Sequence, residues 1–386
     1  MPEDPTYPGV FVEEIASAIR HITGVDTSIT AFVGYTRQGV PDQAAKIHSF
    51  AQFEAIYGGL DRASPLSYAV YQFFITGGGQ AVIVRVETRG KAGLLGLTAT
   101  TGMNALKDVD LFNLLCVPET FDLPDADATQ VANAGLRLCE GRRAFYIVDA
   151  PRTRTLGDIV AWADGLAPSR NGAIYFPGVR IVDPQGTERM PVMAPSGSVA
   201  GVFARTDQQR GVWKAPAGSD ATLSGVIDFA ISIGDEQNQD LNSNRINVLR
   251  RFPERLPVVW GARTLMGADA QGSEYKYVPV RRMALFLEES LARGLAWVAF
   301  EPNDEALWAK IRNDVGAFLH QQFRHGAFQG ASPKQAYFVK CDADTTTQSD
   351  LANGVVSIEV GFAPLKPAEF LILKIQQAAG PSRFLV

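Results

Sequence analysis

The order of apolar and polar positions divides the chain into elements from residue 27 onward. Residues 27–36 (TSITAFVGYT) form a compact β-prone run that predicts a buried strand. A short helix is expected over 49–57, with Ser49 as its N-cap and Gly58-Gly59 as its stop. Ser64-Pro65 opens a second helix, because serine accepts from first-turn amides and proline at the first position loses no hydrogen bond. Its apolar set, Leu66, Ala69, Val70, Phe73 and Phe74, keeps the helical period until Gly77-Gly78-Gly79. Residues 81–86 (AVIVRV) read as the next strand. Between about 93 and 185, predicted strands at 111–118, 145–150 and 173–176 alternate with helices at 128–140 and 156–166. Such alternation predicts βαβ units, and the continuously apolar strands predict a parallel sheet covered on both faces. Residues 180–219 are rich in proline, glycine and serine and read as long loops.

The last third is the most regular. A helix over 282–293 is stopped by Gly294, a strand follows at 297–300, and a long helix spans 303–324. Asn303 is its expected cap, and Leu307, Trp308, Ile311, Val315, Phe318, Leu319 and Phe323 form one apolar stripe. Residues 370–375 (FLILKI) read as an apolar strand before a short polar tail, with no fixed-period repeat anywhere. At the other end, residues 10–15 are β-prone with no neighbouring run to pair with.

Length and composition narrow the class. A chain of 386 residues exceeds what one core usually organises, so two or more lobes are expected. With 46% hydrophobic and 20% charged residues the chain is no disordered tract. A net charge of −5 gives no support for a general nucleic-acid binder. Residues 245–330 carry a small basic excess within an acidic chain, which is either a face for an acidic partner or an ordinary solvated surface. Cys116, Cys139 and Cys341 are widely spaced and read as reduced, buried thiols. The N-terminal residues lack a secretory pattern and no apolar run nears the roughly 20 residues of a membrane span, so a soluble protein made in the cytoplasm is expected.

Chemistry is scarce. His320 and His325 lie five apart and diverge on their helix, and no zinc spacing exists. Gly77-Gly78-Gly79 precedes a strand, whereas phosphate-binding glycines follow one. Ser196 lacks the G-x-S-x-G context of a nucleophile, and Cys116 sits inside an apolar strand. Asp149 and Asp183 end predicted strands, where they serve either as turn formers or as catalytic carboxylates. No cofactor or metal is implied.

Several unusual strings remain. They include YPGVFVEE at 7–14, GVDTS at 24–28, APSGSVAG at 194–201, RGVWKAP at 210–216, VWGART at 259–264, YVPVRR at 277–282, FEPN at 300–303 and APLKPAEF at 363–370. Together, in this order, they resemble the contractile tail sheath proteins of phage tails and extracellular contractile injection systems. That resemblance implies a structural subunit that stacks as six-fold rings around an inner tube in a metastable extended state. Contraction then drives the tube through a target envelope without consuming nucleotide. The implied partners are further copies of itself, the inner tube protein, and baseplate and terminal cap proteins, with no direct contact to nucleic acid or membrane. The particle would be a phage tail or a related contractile device.

The expected architecture is α/β (α+β mixed), with a common core built from both ends of the chain. An N-terminal arm (1–24) leads into the first core segment (25–92), which is followed by an inserted outer lobe (93–180) and joining loops (181–244). The second core segment, a C-terminal sheath domain (245–375), precedes a C-terminal arm end (376–386). Val10, Phe11, Val12, Glu13 and Ile15, with Phe370, Leu371, Ile372, Leu373 and Ile375, are the expected inter-subunit strands, hinged at about 17–24 and 376–383. An unpaired strand is an aggregation hazard on a monomer, yet a strong link once a neighbour's sheet edge accepts it. The alternative is ordinary pairing of the first and last strands within one chain. In sheath families a C-terminal helix meets the tube, so Lys310, Arg312 and Arg324 are the expected tube contacts unless they form only a solvated face. Arg263, Arg281, Arg282 and Glu301 are expected in inter-subunit or inter-domain charge pairs. Rival readings of the whole are an α/β enzyme working near Asp149 and Asp183, or a non-contractile tube or capsid component.

Overall fold

Strands that are apolar on both faces must be covered on both, and the chain does this with helices drawn from distant parts of its sequence. The computed structural model describes residues 21–186 and 192–369. The first elements are β1 (Thr30–Tyr35), β2 (Ala44–Ile47), α1 (Phe50–Tyr57), α2 (Pro65–Thr76) and β3 (Ala81–Val86). Next come α3 (Lys91–Leu95), β4 (Leu114–Cys116), α4 (Asp125–Gly141), β5 (Phe145–Asp149), α5 (Ile159–Asp164), β6 (Gly172–Phe176) and β7 (Val179–Ile181). They are followed by α6 (Ser196–Arg210), β8 (Val226–Phe229), α7 (Asp235–Ser243), β9 (Ile246–Arg250) and β10 (Val258–Trp260). The chain continues through α8 (Val278–Gly294), α9 (Glu305–Arg324), α10 (Pro333–Ala336), β11 (Tyr337–Lys340), α11 (Gln348–Ala352) and β12 (Glu359–Phe362).

Eight strands form one sheet in the order β10-β9-β6-β5-β4-β1-β3-β2. The six inner strands run parallel, and only the edge strands β2 and β10 are antiparallel. Side chains alternate across it: Phe32 enters one core with Phe53, Phe73 and Phe203, while Ala31 and Val33 enter the other with Leu115, Val148 and Ile174. Helices α1, α2 and α6 cover the first face, and α4 and α5 the second. The predicted caps form, with Ser49 accepting from Gln52 and Ser64 from Ser67.

Residues 93–180, expected as an outer lobe, instead supply β4, β5 and β6 to the middle of this sheet, so the insertion is one of chain order within a shared layer. Beyond the sheet and the cores on its two faces lies a separate core, the second that α8 reaches, built from the far end of α8, the stripe of α9 and the two-stranded sheet β11–β12. Helix α8 joins the two, with Val278 and Leu285 in the first core and Met283 and Leu287 in the second.

Three local expectations change. Residues 196–210, expected in loops, form the 15-residue helix α6. Its glycines are contact points: a Cβ on Gly197 would lie 2.2 Å from the Ala69 carbonyl oxygen, and one on Gly201 2.7 Å from that of Phe73. Close crossing on α2 therefore offsets the poor helix propensity of glycine. Residues 297–300, expected as a strand, instead begin within a 3₁₀ turn at Ala296–Val298 and pair with no strand among the described residues. The cap of α9 is Asp304, which accepts from Leu307, while Asn303 is occupied elsewhere.

Candidate functional site

The four charged residues expected to pair do not behave alike. Arg263 follows β10, where Gly261 leaves room for Asn247; a Cβ there would lie 2.8 Å from Asn247 Oδ1. Asn247 fixes the Arg263 backbone on both sides, accepting from its N–H at 2.7 Å and donating to its carbonyl at 2.7 Å. The guanidinium is 1% exposed. Its Nε and Nη2 donate to the two oxygens of Glu369 at 2.9 and 2.8 Å, and Nη1 donates to the Asn242 carbonyl and Asp269. Tyr277 donates its hydroxyl to Glu369 at 3.1 Å. Burial opposes ionisation of Glu369, but the hydrogen bonds and charge of Arg263 outweigh it and hold the carboxyl below its usual value. Glu369 is the last residue described at this end, and the clamp holds it against the body.

Arg282 makes a second buried pair. It meets both oxygens of Asp207 at 2.8 and 2.6 Å, reaches the Thr27 carbonyl at 2.7 Å, and lies over the Phe203 ring. Thr27 donates to the same carboxylate, and Val25 N–H donates to Ser290. The entry of the N-terminal segment is thus tied to α6 and α8. Arg281 joins Asn171 to Glu288 on its own helix. All three arginines pair inside the chain, between its elements. Glu301 is exposed and makes no ion pair among the described residues.

The expected tube-contact cations also separate. Lys310 lies 4.3 Å from the centroid of the Trp297 ring. Arg312 pairs with Glu305 at 2.7 Å and donates to the Cys341 carbonyl. Arg324 alone is exposed with no ion pair among the described residues. Among the described residues, strands β11 and β12 pair only with each other, over Tyr337–Lys340 and Glu359–Phe362, and both are largely half-buried. The expected strand residues Val10, Phe11, Val12, Glu13, Ile15, Phe370, Leu371, Ile372, Leu373 and Ile375 lie outside the described residues.

Two surface features are not foreseen from the sequence. Phe300 is fully exposed, with φ 70°. A groove of about 1070 Å³ lies where the end of α6, α7, the end of β10 and residues 365–369 meet, with Trp213, Lys214 and Trp260 in its lining. Each residue is legible as part of a motif string, but neither exposure nor concavity is written in a sequence.

The candidates for catalysis are buried within the fold. Asp149 is buried, accepts from the Ser196 amide at 2.9 Å, and has its pKa pushed by desolvation up to about 7. Glu119, likewise raised to about 7 by burial, accepts from the Tyr35 amide. Asp183 is saturated by the Gln185 amide, Arg62 and Tyr68. Burial pushes the Cys116 thiol well up, away from a reactive thiolate. Among the described residues no cluster has the makings of a metal site, and no helix is long and apolar enough to cross a membrane.

Comparison with known proteins agrees along the length of the chain. The phage tail sheath protein central domain matches residues 92–265, and the phage tail sheath C-terminal domain matches 270–378. A putative prophage major tail sheath protein of Pseudomonas aeruginosa is 31% identical over 311 residues, covering 75% of each chain. The helical sheath of the anti-feeding prophage in its contracted state superposes with a TM-score of 0.78 at 29% identity, over 97% of this chain and 100% of that one. The contracted PVC sheath of an extracellular contractile injection system gives 0.77 at 27% identity, over 97% and 98%.

Proposed function

The chain belongs to the phage tail sheath family and is a contractile tail sheath subunit, and from that premise we propose that it polymerises in six-fold rings around an inner tube and contracts to drive that tube through a target envelope. The observation that carries this reading is the isolated two-stranded sheet β11–β12, paired along its strands with nothing else among the described residues. Each outer edge offers backbone groups that no other described strand pairs with, and an incoming strand satisfies them with side-chain-tolerant hydrogen bonds. Residues 10–15 and 370–375 of neighbouring copies supply such strands. Arg263–Glu369 and Arg282–Asp207 support this by anchoring the root of each arm to the body, so that tension on an arm is passed to the core.

The work is mechanical, drawn from contacts stored at assembly, with no cofactor and no catalytic residue. Besides itself, the subunit meets the tube along α9 and meets baseplate and cap proteins at the ends of the stack. It is made in the cytoplasm before joining the particle. Arg324 is the cation best placed for the tube, since Arg312 serves the fold. Purified protein, followed by size exclusion and negative-stain microscopy, is expected to form long tubes. Deleting residues 1–20 should leave a folded monomer without tubes; tubes formed by the truncated chain would refute strand exchange through this arm. Arg324→Gln should weaken co-assembly with the tube protein while sparing sheath self-assembly.

A further inference from the structure

Phe300 costs the monomer twice. A bulky residue at positive φ is strained, and its ring is wholly in water. The loop that carries it is nevertheless held firmly. Glu301 N–H donates to the Val298 carbonyl at 3.1 Å, and Asn303 bridges Trp308 Nε1 at 2.8 Å and the Val355 carbonyl at 2.9 Å. The backbone that carries the ring is therefore held in place, next in sequence to the carboxylate of Glu301, which is exposed and without an ion pair among the described residues. A loop already held in this way gives up little backbone entropy when its exposed aromatic docks, as interface anchors require.

The groove has the opposite deficit. Trp213 and Trp260 are only partly covered, and Lys214 beside them is half-buried with a hydrogen bond from Nζ to the Ala215 carbonyl at 3.0 Å. No carboxylate forms an ion pair with it among the described residues, and burial, aided by Arg210 and only partly offset by the charge of Asp220, holds its pKa below the usual lysine value. A partly desolvated ammonium with no carboxylate in direct contact is further stabilised by an incoming one. Glu236 and Asp240 of α7 also line the groove, as do Arg210 and Lys366, so the lining is of mixed sign and Lys214, beside the two tryptophans, is the cation offered to an incoming carboxylate.

We propose that the Phe300–Glu301 hook of one subunit seats in the Trp213–Trp260 groove of a second copy of this chain, with Glu301 against Lys214. Hook and groove are different surfaces of one chain, so the contact is head-to-tail and extends a polymer without closing a dimer. This inference rests on the sheath reading, and its test separates the two. Critical concentrations for tube formation are measured for wild type, Glu301→Lys, Lys214→Glu and the double charge swap, with Phe300→Gly alongside. Each charge reversal should raise the critical concentration at least about tenfold, and the double swap should restore most of it. Phe300→Gly removes the positive-φ strain, so its thermal unfolding midpoint should be unchanged or higher while its polymerisation falls by a similar factor. Wild-type tubes combined with variants that polymerise normally, or a double swap that rescues nothing, would overturn the hook and leave the sheath reading intact. Failure of wild type to form tubes would overturn both.

Discussion

Arg263 uses its donors on four residues from three segments of the chain: the Asn242 carbonyl, the Gly267 carbonyl with Asp269, and Glu369. Removing it with Arg263→Ala leaves Glu369 without its partner at a half-buried site and should cost about 3–5 kcal/mol in denaturant unfolding. The pair also sets an acid limb. The folded carboxyl of Glu369 titrates below its ordinary 4.5, so the stability it supplies is present above that value and is lost as pH falls through the folded pKa. Arg263→Ala should flatten that limb. Asp149 acts in the opposite sense. Desolvation raises its pKa from 3.8 to about 7, so the fold favours the protonated form. Its contribution is complete below pH 3.8 and is lost as pH rises toward 7, by roughly 4 kcal/mol at most. Relative to Asp149→Asn, wild type should therefore lose stability between about pH 4 and pH 7, as measured by urea unfolding at each pH. A constant difference across that range would contradict a buried, protonated Asp149. Neither effect is legible in the sequence, which holds Arg263 and Glu369 in separate motif strings and offers Asp149 as turn former or catalyst.

At the scale of elements, the sequence is most informative where local and tertiary demands agree. Helix α9 carries a full apolar stripe and emerges within a residue or two of its expected bounds, as do α1, α2 and the strands β3, β5 and β6. Where packing overrides propensity, the pattern misleads. Helix α6 is rich in serine and glycine because it must approach the α2 backbone closely, and this composition is locally indistinguishable from a loop. Reading α6 as a loop also hides Asp207, the partner of Arg282. Gly197→Ala gives a sharp test. Alanine favours an isolated helix by about 1 kcal/mol, but here its Cβ would meet a backbone oxygen that cannot move aside. Net destabilisation of about 1–3 kcal/mol is expected from overpacking. A stabilised Gly197→Ala protein would show that α2 and α6 do not cross this closely.

On the scale of the whole molecule, two cores hinge on α8, and the described ends of the polypeptide are fastened to the body by buried arginine pairs. A sheath subunit needs this division: rigid bodies that keep their shape, joined to their neighbours by segments that tolerate reorientation. The parallel sheet can be foreseen from alternating strands and helices. That residues 93–180 run through its centre cannot, because strand order depends on contacts between distant segments. The most direct test of strand exchange is high-resolution imaging of assembled tubes. The account predicts that β11–β12 gains strands on its outer edges, from residues 10–15 of one neighbour and 370–375 of another. Density showing both termini folded back onto their own subunit, with those edges still unpaired, would contradict it.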